Sequence, residues 1–511
     1  MKTAHSIKIS TLIQKLTPRA VVGPANVDIS ALHYDSRQVL PGSAFFALRG
    51  AAVDGHRFID EALRRGAQVI VHEEERPLPP QVTGILVDDS RQALALAASC
   101  YYDDPTADML VIGITGTNGK TTVSYLLEAL LSSAGRRPAV IGTVNYRFEG
   151  QLLESNHTTP ESVDLLALAA RFRAAGADTL ILEVSSHALE QRRIDGIDFD
   201  MGIFTNLTPE HLDYHGDLES YFQAKCRLFT GLGSRGPRQS VVDVDDPYGQ
   251  RLANQCQGVW SCGLKKEASV HPVKSNLSLV GIEACIVSPA GDFKLQSALR
   301  GEFNLSNLLC AATAGLALGL DTATVAAGLA GAPAVPGRLE PVENGLGALV
   351  LVDYAHTADA LDKALEAVIA LKPRRIITLF GCGGDRDRSK RPMMGEVAAQ
   401  RSDLVVVTSD NPRSENPGSI IDDIRPGLEK VFKSQWSPQQ AAEAGRGGYV
   451  VIEDRHAAID FAVSQLNCGD LLLVAGKGHE DYQLIGEQRL HFDDREELRR
   501  ALQQREGRHE T

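Results

Sequence analysis

Short apolar runs alternate along most of the chain with longer segments whose apolar residues recur at helical spacing. The run LVIGIT (110–115) has the composition of a buried parallel strand. After a glycine-rich turn, VSYLLEALLSSAG has helical spacing and ends at a glycine. Further strands are predicted at TLILEVS (179–185), DMGIFTNL (200–207) and SVVDVDD (240–246). Strands that alternate with helices predict an α/β fold built on mostly parallel sheets.

This alternation occurs in three stretches, and a chain of 511 residues is long enough for about three domains. Residues 1–107 contain short strands such as GSAFFALRG and QVIVHEE. Residues 108–337 begin at LVIGIT and end in the Pro/Gly-rich stretch GAPAVPGRLEP (331–341), which is typical of a hinge. Residues 338–511 contain strands such as ALVLVDYAH and DLLLVAG. They predict a Rossmann-like unit without the G-x-G-x-x-G fingerprint.

Composition excludes some classes of function. A formal net charge of −13 argues against a nucleic-acid partner, because a phosphate backbone requires a basic face. Anionic small ligands stay possible, since local N–H groups and a few cations can hold them. No apolar run approaches the ~20 residues that cross a bilayer, and MKTAHSIKISTLIQKL lacks the apolar core of a signal peptide. The eight cysteines form no C-x-x-C pairs, which predicts reduced thiols in a cytoplasmic protein.

The turn GTNGKTT between the predicted strand and helix indicates a nucleotide phosphate loop. Gly116 and Gly119 allow backbone N–H groups to approach a phosphate closely. Lys120 places a cation on the outer phosphates, and Thr121 offers a hydroxyl to Mg²⁺. The spacing departs from G-x-x-x-x-G-K-[ST], because Ile114 stands where the first glycine belongs. The alternative is an ordinary glycine-rich turn between a strand and a helix.

A second group of candidates follows two later strands of the central stretch. Glu183 lies near the end of a buried strand, at the sheet edge where ligands collect, and suits Mg²⁺; alternatively it caps or pairs locally. His211, Asp213 and His215 lie within five residues, in what is otherwise a polar loop with a capped helix start. Lys225 lies in the following helix, where a solvated lysine is the alternative.

Seven strings, spread over nearly the whole chain, resemble the Mur ligase family and occur in the family's order. They are ITGTNGKTT, EVSSHALEQRR, FTNLTPEHLDYHG, GEFNLSNLLCA, PGRLE, VDYAHTADAL and FGCGGDRDRSKRP. The string SDNPR (409–413) is similar to the members that add meso-diaminopimelate. The resemblance implies an N-terminal UDP-binding α/β domain, a central P-loop parallel-sheet ATPase and a C-terminal Rossmann-like, amino-acid-binding domain.

The implied reaction is an ATP-dependent amide ligation in peptidoglycan precursor synthesis. The side carboxylate of D-Glu in UDP-N-acetylmuramoyl-L-alanyl-D-glutamate is phosphorylated, and an amine of meso-diaminopimelate attacks the acyl phosphate. ATP and Mg²⁺ are the implied cofactors, and the enzyme is expected to be a cytoplasmic monomer without nucleic-acid or membrane partners. Phosphoryl transfer of this kind depends on positioning and charge neutralisation more than on an enzyme nucleophile.

The resemblance also implies site residues, by the positions that match. The implied catalytic residues are Lys120, Glu183, His211 and Lys225, and the metal ligands are Thr121, Glu183, His211 and Lys225, the last carbamylated to N6-carboxylysine. ATP contacts are implied for Gly116, Thr117, Asn118, Gly119, Lys120, Thr121, Thr122, Asn304, Arg338, Asp353, Tyr354 and His356. The UDP-muramoyl dipeptide contacts are Ser36, Thr158, Thr159, Ser185, Gln191 and Arg193. Those to diaminopimelate are Arg386, Asp410, Asn411, Pro412, Arg413, Gly476 and Glu480.

Several of these positions also have plainer interpretations. Asn304 could cap the next helix, and Asp353 and His356 could be turn residues. Asn-Pro in SDNPR favours a turn, although a rigid turn could also hold Arg413 against the distal carboxylate of diaminopimelate. In the N-terminal stretch, AAV (51–53) replaces a more polar family pattern.

Two other functions fit parts of this pattern. A folylpolyglutamate synthase shares the central ATPase and the acyl-phosphate chemistry, but the added N-terminal domain and DNPR disfavour it. A nucleotide-dependent regulatory protein with a degenerate site is disfavoured by the intact Lys120, Glu183, His211 and Lys225.

Overall fold

The computed structural model describes residues 6–50, 53–155, 157–231, 236–278, 281–433 and 435–507. They form two compact units, one of Met1–Ser261 with Thr313–Gly319 and the other of Cys262–Ala312 with Leu320–Thr511. No helix of these described ranges is long and apolar enough to cross a membrane. All eight cysteines are free thiols.

The strands, in chain order, are β1 Ile7–Lys8, β2 Ala20–Val22, β3 Asp28–Ile29, β4 Leu32–His33, β5 Ala44–Phe46, β6 Val69–His72, β7 Thr83–Leu86, β8 Leu110–Thr115, β9 Pro138–Ile141, β10 Asn145–Phe148, β11 Gln151–Glu154, β12 Thr179–Glu183, β13 Met201–Phe204, β14 Gln239–Asp243, β15 Val259–Cys262, β16 His271–Leu277, β17 Ile282–Val287, β18 Phe293–Ser297, β19 Glu340–Pro341, β20 Leu349–Asp353, β21 Arg375–Phe380, β22 Leu404–Val407, β23 Gly448–Val451, β24 Asp470–Ala475, β25 Tyr482–Ile485 and β26 Gln488–His491.

The α-helices are α1 Ile9–Leu16, α2 Ile59–Arg64, α3 Ser90–Tyr101, α4 Lys120–Ser133, α5 Ser162–Ala174, α6 Ser186–Glu190, α7 Leu212–His215, α8 Leu218–Thr230, α9 Pro247–Ala253, α10 Glu302–Ala317, α11 Thr322–Ala330, α12 Ala358–Ala370, α13 Lys390–Arg401, α14 Pro417–Leu428, α15 Pro438–Ala444, α16 Arg455–Ser464 and α17 Asp494–Gly507.

The central sheet of the first unit has eight strands in the order β11-β10-β9-β12-β8-β13-β14-β15. Strand β8 lies between β12 and β13 and is parallel to both, with Glu183 opposite Ile114 and Phe204 opposite Thr115. The carboxyl ends of these three strands therefore meet at one edge, where ligands bind in open α/β sheets. These three strands are mostly apolar and almost entirely buried, as expected for a parallel sheet covered by helices.

A five-stranded sheet, β2-β7-β6-β5-β4, precedes the central sheet in the chain. Its strands are parallel except β2. Helix α3 packs against α5, so one continuous apolar core includes Leu94 of the first and Leu165 of the second. Polar contacts join the same parts of the unit, including Tyr34 Oη to Asp164 at 2.7 Å and Arg192 to Asp89 at 2.8 Å.

The main sheet of the second unit has six strands in the order β19-β20-β24-β21-β22-β23, and only β19 is antiparallel. Helices α12, α13 and α14 supply Leu361, Met394 and Ile424 to the core on one face. Helices α16 and α17 supply Ile459 and Leu498 to the other. Together with the central sheet, this confirms the predicted α/β class.

The alternation did not predict the antiparallel strands β10, β11 and β16–β18. Strands β16, β17 and β18 form a separate three-stranded antiparallel sheet. Most positions of β16, HPVKSNL, are exposed or half-buried. Because such a strand buries little apolar surface, it lacks the apolar run on which the prediction of strands depends.

Candidate active site

The predicted phosphate loop lies between β8 and α4, and hydrogen bonds to the chain after β13 hold its shape. Thr117 N donates to Asn206 O, and Asn118 N donates to Asn206 Oδ1, both at 2.9 Å. Gly119 has φ 88°, and Gly116 has φ 148°. A Cβ added at Gly116 would lie 2.0 Å from Thr205 Oγ1, so the loop has no room for a side chain there. Strand, glycine turn and helix have the predicted layout.

Two lysines point into this loop. Lys120 Nζ donates to the carbonyl oxygens of Gly116 and Thr117, both at 2.9 Å. Lys225 Nζ, from α8, donates to Gly116 O at 2.8 Å and lies 4.4 Å from the centre of the Tyr221 ring. Lys225 is 1% exposed, so the alternative of a solvated lysine is wrong. Burial, followed by the nearby ammonium of Lys120, holds the pKa of Lys225 well below its ordinary value.

The Glu183 carboxylate lies fully buried beside the start of α4. Its Oε2 accepts from Thr121 Oγ1 at 3.0 Å and from Thr143 Oγ1 at 2.8 Å. Its Oε1 accepts from Ser124 Oγ at 3.4 Å. Within the described residues these hydroxyls are its partners, and no basic side chain forms an ion pair with it. A buried carboxylate without a cation is the arrangement expected of a metal ligand.

The predicted metal ligands supply only part of the donor groups that a divalent cation needs. Among the residues with described positions, no three His, Cys, Asp or Glu side chains are grouped so that they could hold a metal ion. The predicted set contains only two such side chains, Glu183 and His211, and adds the Thr121 hydroxyl and a carbamylated Lys225. The structure brings Thr121 to Glu183, and both His211 and Lys225 lie near the Tyr221 ring, whose centre is 6.2 Å from that of the His211 ring and 4.4 Å from Lys225 Nζ.

His211 begins the short helix α7 in a left-handed conformation, φ 57°. Its side chain is 44% exposed, and its ring centre lies 4.8 Å from that of His187. His187 also packs on Tyr214 at 4.2 Å. Burial, followed by His211 and His215, lowers the pKa of His187 to about 4, so this ring is neutral near pH 7. The cap of the next helix, α8, is Asp217, not a residue of the His-rich segment.

Four of the six predicted dipeptide contacts form one hydrogen-bonded chain beside Glu183. Thr159 Oγ1 donates to Glu183 O at 2.8 Å and accepts from Ser185 N at 3.0 Å. Arg193 Nη1 donates to Thr159 O, and Arg193 Nη2 donates to Gln191 Oε1, both at 2.8 Å. The chain carries backbone, hydroxyl and guanidinium donors along the edge of the sheet, which suits phosphate and carboxylate recognition.

The other two dipeptide contacts differ from each other. Thr158 joins the same cluster, since its Oγ1 lies 3.1 Å from Thr143 Oγ1. Ser36 lies apart from it: the side chain is buried in a short 3₁₀ helix, Ser36–Gln38, and donates to Glu61 Oε2 at 2.7 Å. Residues 51 and 52 of the AAV segment lie outside the described residues.

In the second unit, several predicted amino-acid contacts converge at the ends of β22 and β24. Asn411 Nδ2 donates to Glu480 Oε2 at 2.8 Å, and Asn411 Oδ1 accepts from the buried Lys477 Nζ at 3.0 Å. Lys477 also lies 3.3 Å from Asp410 Oδ1. Burial, followed by the Asp410 carboxylate, raises the pKa of Glu480 to about 7. A Cβ at Gly476 would lie 3.0 Å from Asp410 Oδ2, so its backbone is part of the same cluster.

Arg413 lies half-buried beside this cluster with a left-handed backbone, φ 53°. Its Nη1 donates to Gly384 O at 2.8 Å. No carboxylate forms an ion pair with its guanidinium in the described part of the chain. The turn after β22 is confirmed, and Arg413 N bonds Leu484 O at 3.0 Å, which fixes the turn on strand β25. Arg386 is exposed near the same place, and Pro412 lies buried against Gly384.

Among the predicted nucleotide contacts of the second unit, one organises a turn and others pack around the ring of Tyr354. Asp353 is buried, and its carboxylate accepts from Leu339 N at 2.7 Å and Ala355 N at 2.8 Å, so it also organises a turn. Arg338 lies 4.9 Å from the centre of the Tyr354 ring, and the His356 ring packs on the same tyrosine at 4.7 Å.

Asn304 lies inside the first turn of α10, which begins at Glu302, so the interpretation as a helix cap is wrong. It is 1% exposed, and its Nδ2 donates to Arg300 O at 2.7 Å. Thr122, in the first turn of α4, is also buried.

Sequence reasoning did not assign four residues that the structure places in these clusters. They are Thr143, Asn206, Lys477 and His479. Asn206 follows a strand that neighbours β8, so strand order would have located it. Thr143 contacts Glu183 from a loop forty positions earlier in the chain, and no local pattern indicates that contact.

Comparison with known proteins gives consistent matches over most of the chain. Three family models match: "Mur ligase family, catalytic domain" at residues 28–102, "Mur ligase middle domain" at 114–315 and "Mur ligase, glutamate ligase domain" at 337–478. A relative from Geobacter metallireducens, named UDP-N-acetylmuramoyl-L-alanyl-D-glutamate--2,6-diaminopimelate ligase, is 47% identical over 98% of this chain and 99% of its own.

Solved structures are similar over the same length. A structure of a UDP-N-acetylmuramoyl-L-alanyl-D-glutamate--2,6-diaminopimelate ligase has 33% identity and a TM-score of 0.66, and covers 94% of this chain and 95% of its own. MurF from Thermotoga maritima in complex with ADP has a TM-score of 0.61 at 18% identity and covers 93% and 98%. At that identity the second match shows the fold alone.

Proposed function

Because this chain belongs to the Mur ligase family, we propose that it is an ATP-dependent ligase that adds meso-diaminopimelate to UDP-N-acetylmuramoyl-L-alanyl-D-glutamate in peptidoglycan precursor synthesis. The reaction joins the side carboxylate of D-Glu to an amine. One oxygen of the D-Glu side carboxylate first attacks the γ-phosphorus of ATP, and ADP leaves. The amine then attacks the acyl carbon, and phosphate leaves with the former carboxylate oxygen.

The phosphate loop supports the first step. Lys120 and the loop amides hold the phosphates of ATP, and their positive charge offsets the charge that develops during transfer. Thr159, Ser185, Gln191 and Arg193 present the dipeptide carboxylate to that phosphate. Positioning of this kind is the main contribution that a protein makes to phosphoryl transfer.

Thr121, Glu183, His211 and Lys225 are the proposed ligands of Mg²⁺, which when bound neutralises phosphate oxygens. The low pKa of Lys225 supports its proposed carbamylation, because a neutral amine adds to CO₂ and releases one proton. The product carries anionic oxygens in place of an ammonium, and such oxygens are the ligands that hard cations prefer.

The half-buried Arg413 guanidinium, which has no ion-pair partner among the described residues, is the observation that favours diaminopimelate. A carboxylate at the distal end of the amino acid would pair with this guanidinium through two parallel hydrogen bonds. The Glu480 carboxylate and the carbonyl of Gly476 suit the distal ammonium. Lysine lacks that distal carboxylate and would leave the guanidinium unpaired.

The test is phosphate release from ATP in the presence of the UDP-muramoyl dipeptide and one amino acid at a time. We expect release with meso-diaminopimelate, together with a product heavier by diaminopimelate minus water. Release with lysine alone, or with a folate and glutamate, would contradict the proposal. The enzyme is further proposed to be a cytoplasmic monomer with domain boundaries near residues 107 and 337.

A further inference from the structure

Three segments of the second unit contact one another beside the cluster of Asp410, Asn411, Lys477 and Glu480. They are Gly337–Leu339, Asp353–His356 and Gly476–Glu480, and together they are here called the joint. Backbone hydrogen bonds connect them directly. Tyr354 N donates to Gly337 O at 2.8 Å, and Gly476 N donates to Asp353 O at 3.1 Å. The first segment carries Arg338 and the second Tyr354, both proposed nucleotide contacts, whereas the third carries Glu480. The joint therefore connects the two proposed ligand sites within one unit.

Glycines bring the backbones of the joint into contact. A Cβ at Gly337 would lie 2.3 Å from His479 N, and a Cβ at Gly478 would lie 2.6 Å from Tyr354 Cβ. Both glycines have left-handed backbones, with φ 65° and 56°. Since neither position has space for a side chain, movement of one segment must displace the others.

His479 is the side chain at the centre of the joint. Its ring centre lies 4.9 Å from that of Tyr354 at an angle of 39°, and the Arg338 guanidinium lies 4.9 Å from the same tyrosine ring. Its Nδ1 is buried and has no hydrogen-bond partner within the described ranges of the chain. Burial, followed by Arg338 and Arg495, lowers the pKa of His479 to about 3, so the ring is neutral. Because the ring carries no charge, its effect on Tyr354 comes from van der Waals contact.

We propose that His479 is a positioning residue that couples the nucleotide site to the amino-acid site. Its ring, packed on Tyr354, holds the segment that presents Glu480, so binding of ATP at Arg338 and Tyr354 orders Glu480 for the incoming amino acid. This inference rests on the proposed function. Coupling of this kind is a ratio of affinities, and typical values range from about 5-fold to 150-fold.

The test measures the dissociation constant of meso-diaminopimelate by calorimetry, with the UDP-muramoyl dipeptide saturating, in the absence and presence of a non-hydrolysable ATP analogue. The parent protein should bind diaminopimelate at least about fivefold more tightly with the analogue. The ratio should fall to roughly one in His479→Ala, while the affinity for the analogue alone is unchanged.

Two further variants separate packing from other roles. His479→Phe keeps a ring on Tyr354 and should keep the ratio, whereas His479→Leu should lose it and replaces the alanine variant if that one does not fold. His491→Ala, which removes an exposed histidine of strand β26, is the matched control and should behave as the parent.

Each contrary result has a definite meaning. An unchanged ratio in His479→Ala or His479→Leu, a lost ratio in His479→Phe, or a ratio near one in the parent would overturn the coupling role alone. The parent must also release phosphate when diaminopimelate is added. A parent without that release would overturn the proposed function and this inference with it.

Discussion

The ammonium groups of Lys120 and Lys225 donate hydrogen bonds to the same atom, the carbonyl oxygen of Gly116, at 2.9 and 2.8 Å. Lys120 comes from the helix that follows the phosphate loop, and Lys225 comes from α8, over a hundred positions later. Burial, followed by the like charge of Lys120 at the same acceptor, lowers the pKa of Lys225, so this lysine loses its proton more readily than an exposed one. The fold therefore places beside the proposed phosphate loop a lysine whose pKa lies well below that of an ordinary lysine.

Replacement of Lys225 tests whether that amine becomes a carbamate. We expect Lys225→Ala to lose most ligase activity, because the anionic oxygens that a cation prefers are missing. A short carboxylic acid added to the assay should restore part of the activity by occupying the space of the carbamate. Lys363→Ala, which removes a surface lysine paired with Asp359, is the control and should be unaffected. Unimpaired ligation by the Lys225 variant would count against the carbamate.

Replacement of Lys120 tests the phosphate loop itself. Lys120→Ala should abolish phosphate release and leave thermal unfolding close to that of the parent, because the carbonyl oxygens of Gly116 and Thr117 that accept from its ammonium belong to the loop itself. Loss of a charge that offsets the transferred phosphate typically costs several kcal/mol of transition-state stabilisation. Phosphate release and a thermal melt are measured on the same preparation. A folded variant with near-normal turnover would remove Lys120 from the site.

Sequence patterns correctly predicted the strand, turn and helix of the proposed phosphate loop because these parts are local. The strand, the turn from Gly116 to Gly119 and the helix are consecutive, and apolar runs indicate buried strands. The contacts of Glu183 were not predictable in this way. Thr143 and Ser124 reach it from separate elements, and only the order of strands in the sheet brings them together.

In the second unit, too, local sequence patterns predicted turns but not contacts between separate elements. The Asn-Pro turn before Arg413 follows from local backbone preferences. The burial of Lys477, and its bonds to Asn411 and Tyr482 O, depend on how β22, β24 and β25 meet. A lysine between two glycines in sequence gives no sign that it is fully buried, so this residue was missed.

Glu480 gives a pH-dependent prediction. Its pKa is raised to about 7, so in the free protein the carboxyl becomes protonated as the pH falls through about 7. Asp410 raises this pKa, and Lys477, Asn411 and Arg413 oppose the rise. The ammonium of diaminopimelate prefers the ionised form, so KM for diaminopimelate should increase as pH falls from 8 to 6, by up to about tenfold per unit below the pKa.

The raised pKa of Glu480 also makes the free energy of unfolding depend on pH. A carboxyl with a raised folded-state pKa binds more protons when folded, so its contribution to stability is lost as pH rises from about 4.5 to about 7. Glu480→Gln should therefore remove both the pH dependence of KM and this loss of stability. KM profiles and melts between pH 5 and 8 measure the two effects. A profile for Glu480→Gln with the slope of the parent would exclude Glu480 as its source.

Loss of one partner of a buried ion pair should destabilise the second unit strongly. Arg455 and Asp494 are fully buried and bond to each other at 2.7 Å through two nitrogens. Arg455→Ala leaves a buried carboxylate unpaired, which costs about 3–5 kcal/mol. Arg500→Ala breaks a partly exposed pair with Asp460 and should cost less than about 1 kcal/mol. Urea unfolding followed by a probe in this unit compares the two variants, and equal losses would contradict the expectation.

The proposed role of Arg413 is to select the amino acid. Diaminopimelate and lysine differ by one carboxylate, and both present an attacking amine. A half-buried guanidinium that bonds Gly384 O and forms no ion pair among the described residues should disfavour lysine, because lysine brings no distal carboxylate to accept its remaining hydrogen bonds. Loss of such a partner corresponds to discrimination of roughly 10²- to 10³-fold in kcat/KM.

Arg413→Ala should therefore lower kcat/KM for diaminopimelate by about that factor and change KM for ATP and the UDP substrate little. Arg413→Lys keeps the charge but loses the planar pair of donors, so it should recover only part of the activity. Arg425→Ala, on helix α14 and paired with Asp422, is the matched control and should resemble the parent. Good activity with lysine is not expected of the alanine variant, since removal of the guanidinium adds no new contact for lysine. Equal use of lysine and diaminopimelate by the parent would show that Arg413 does not select the substrate.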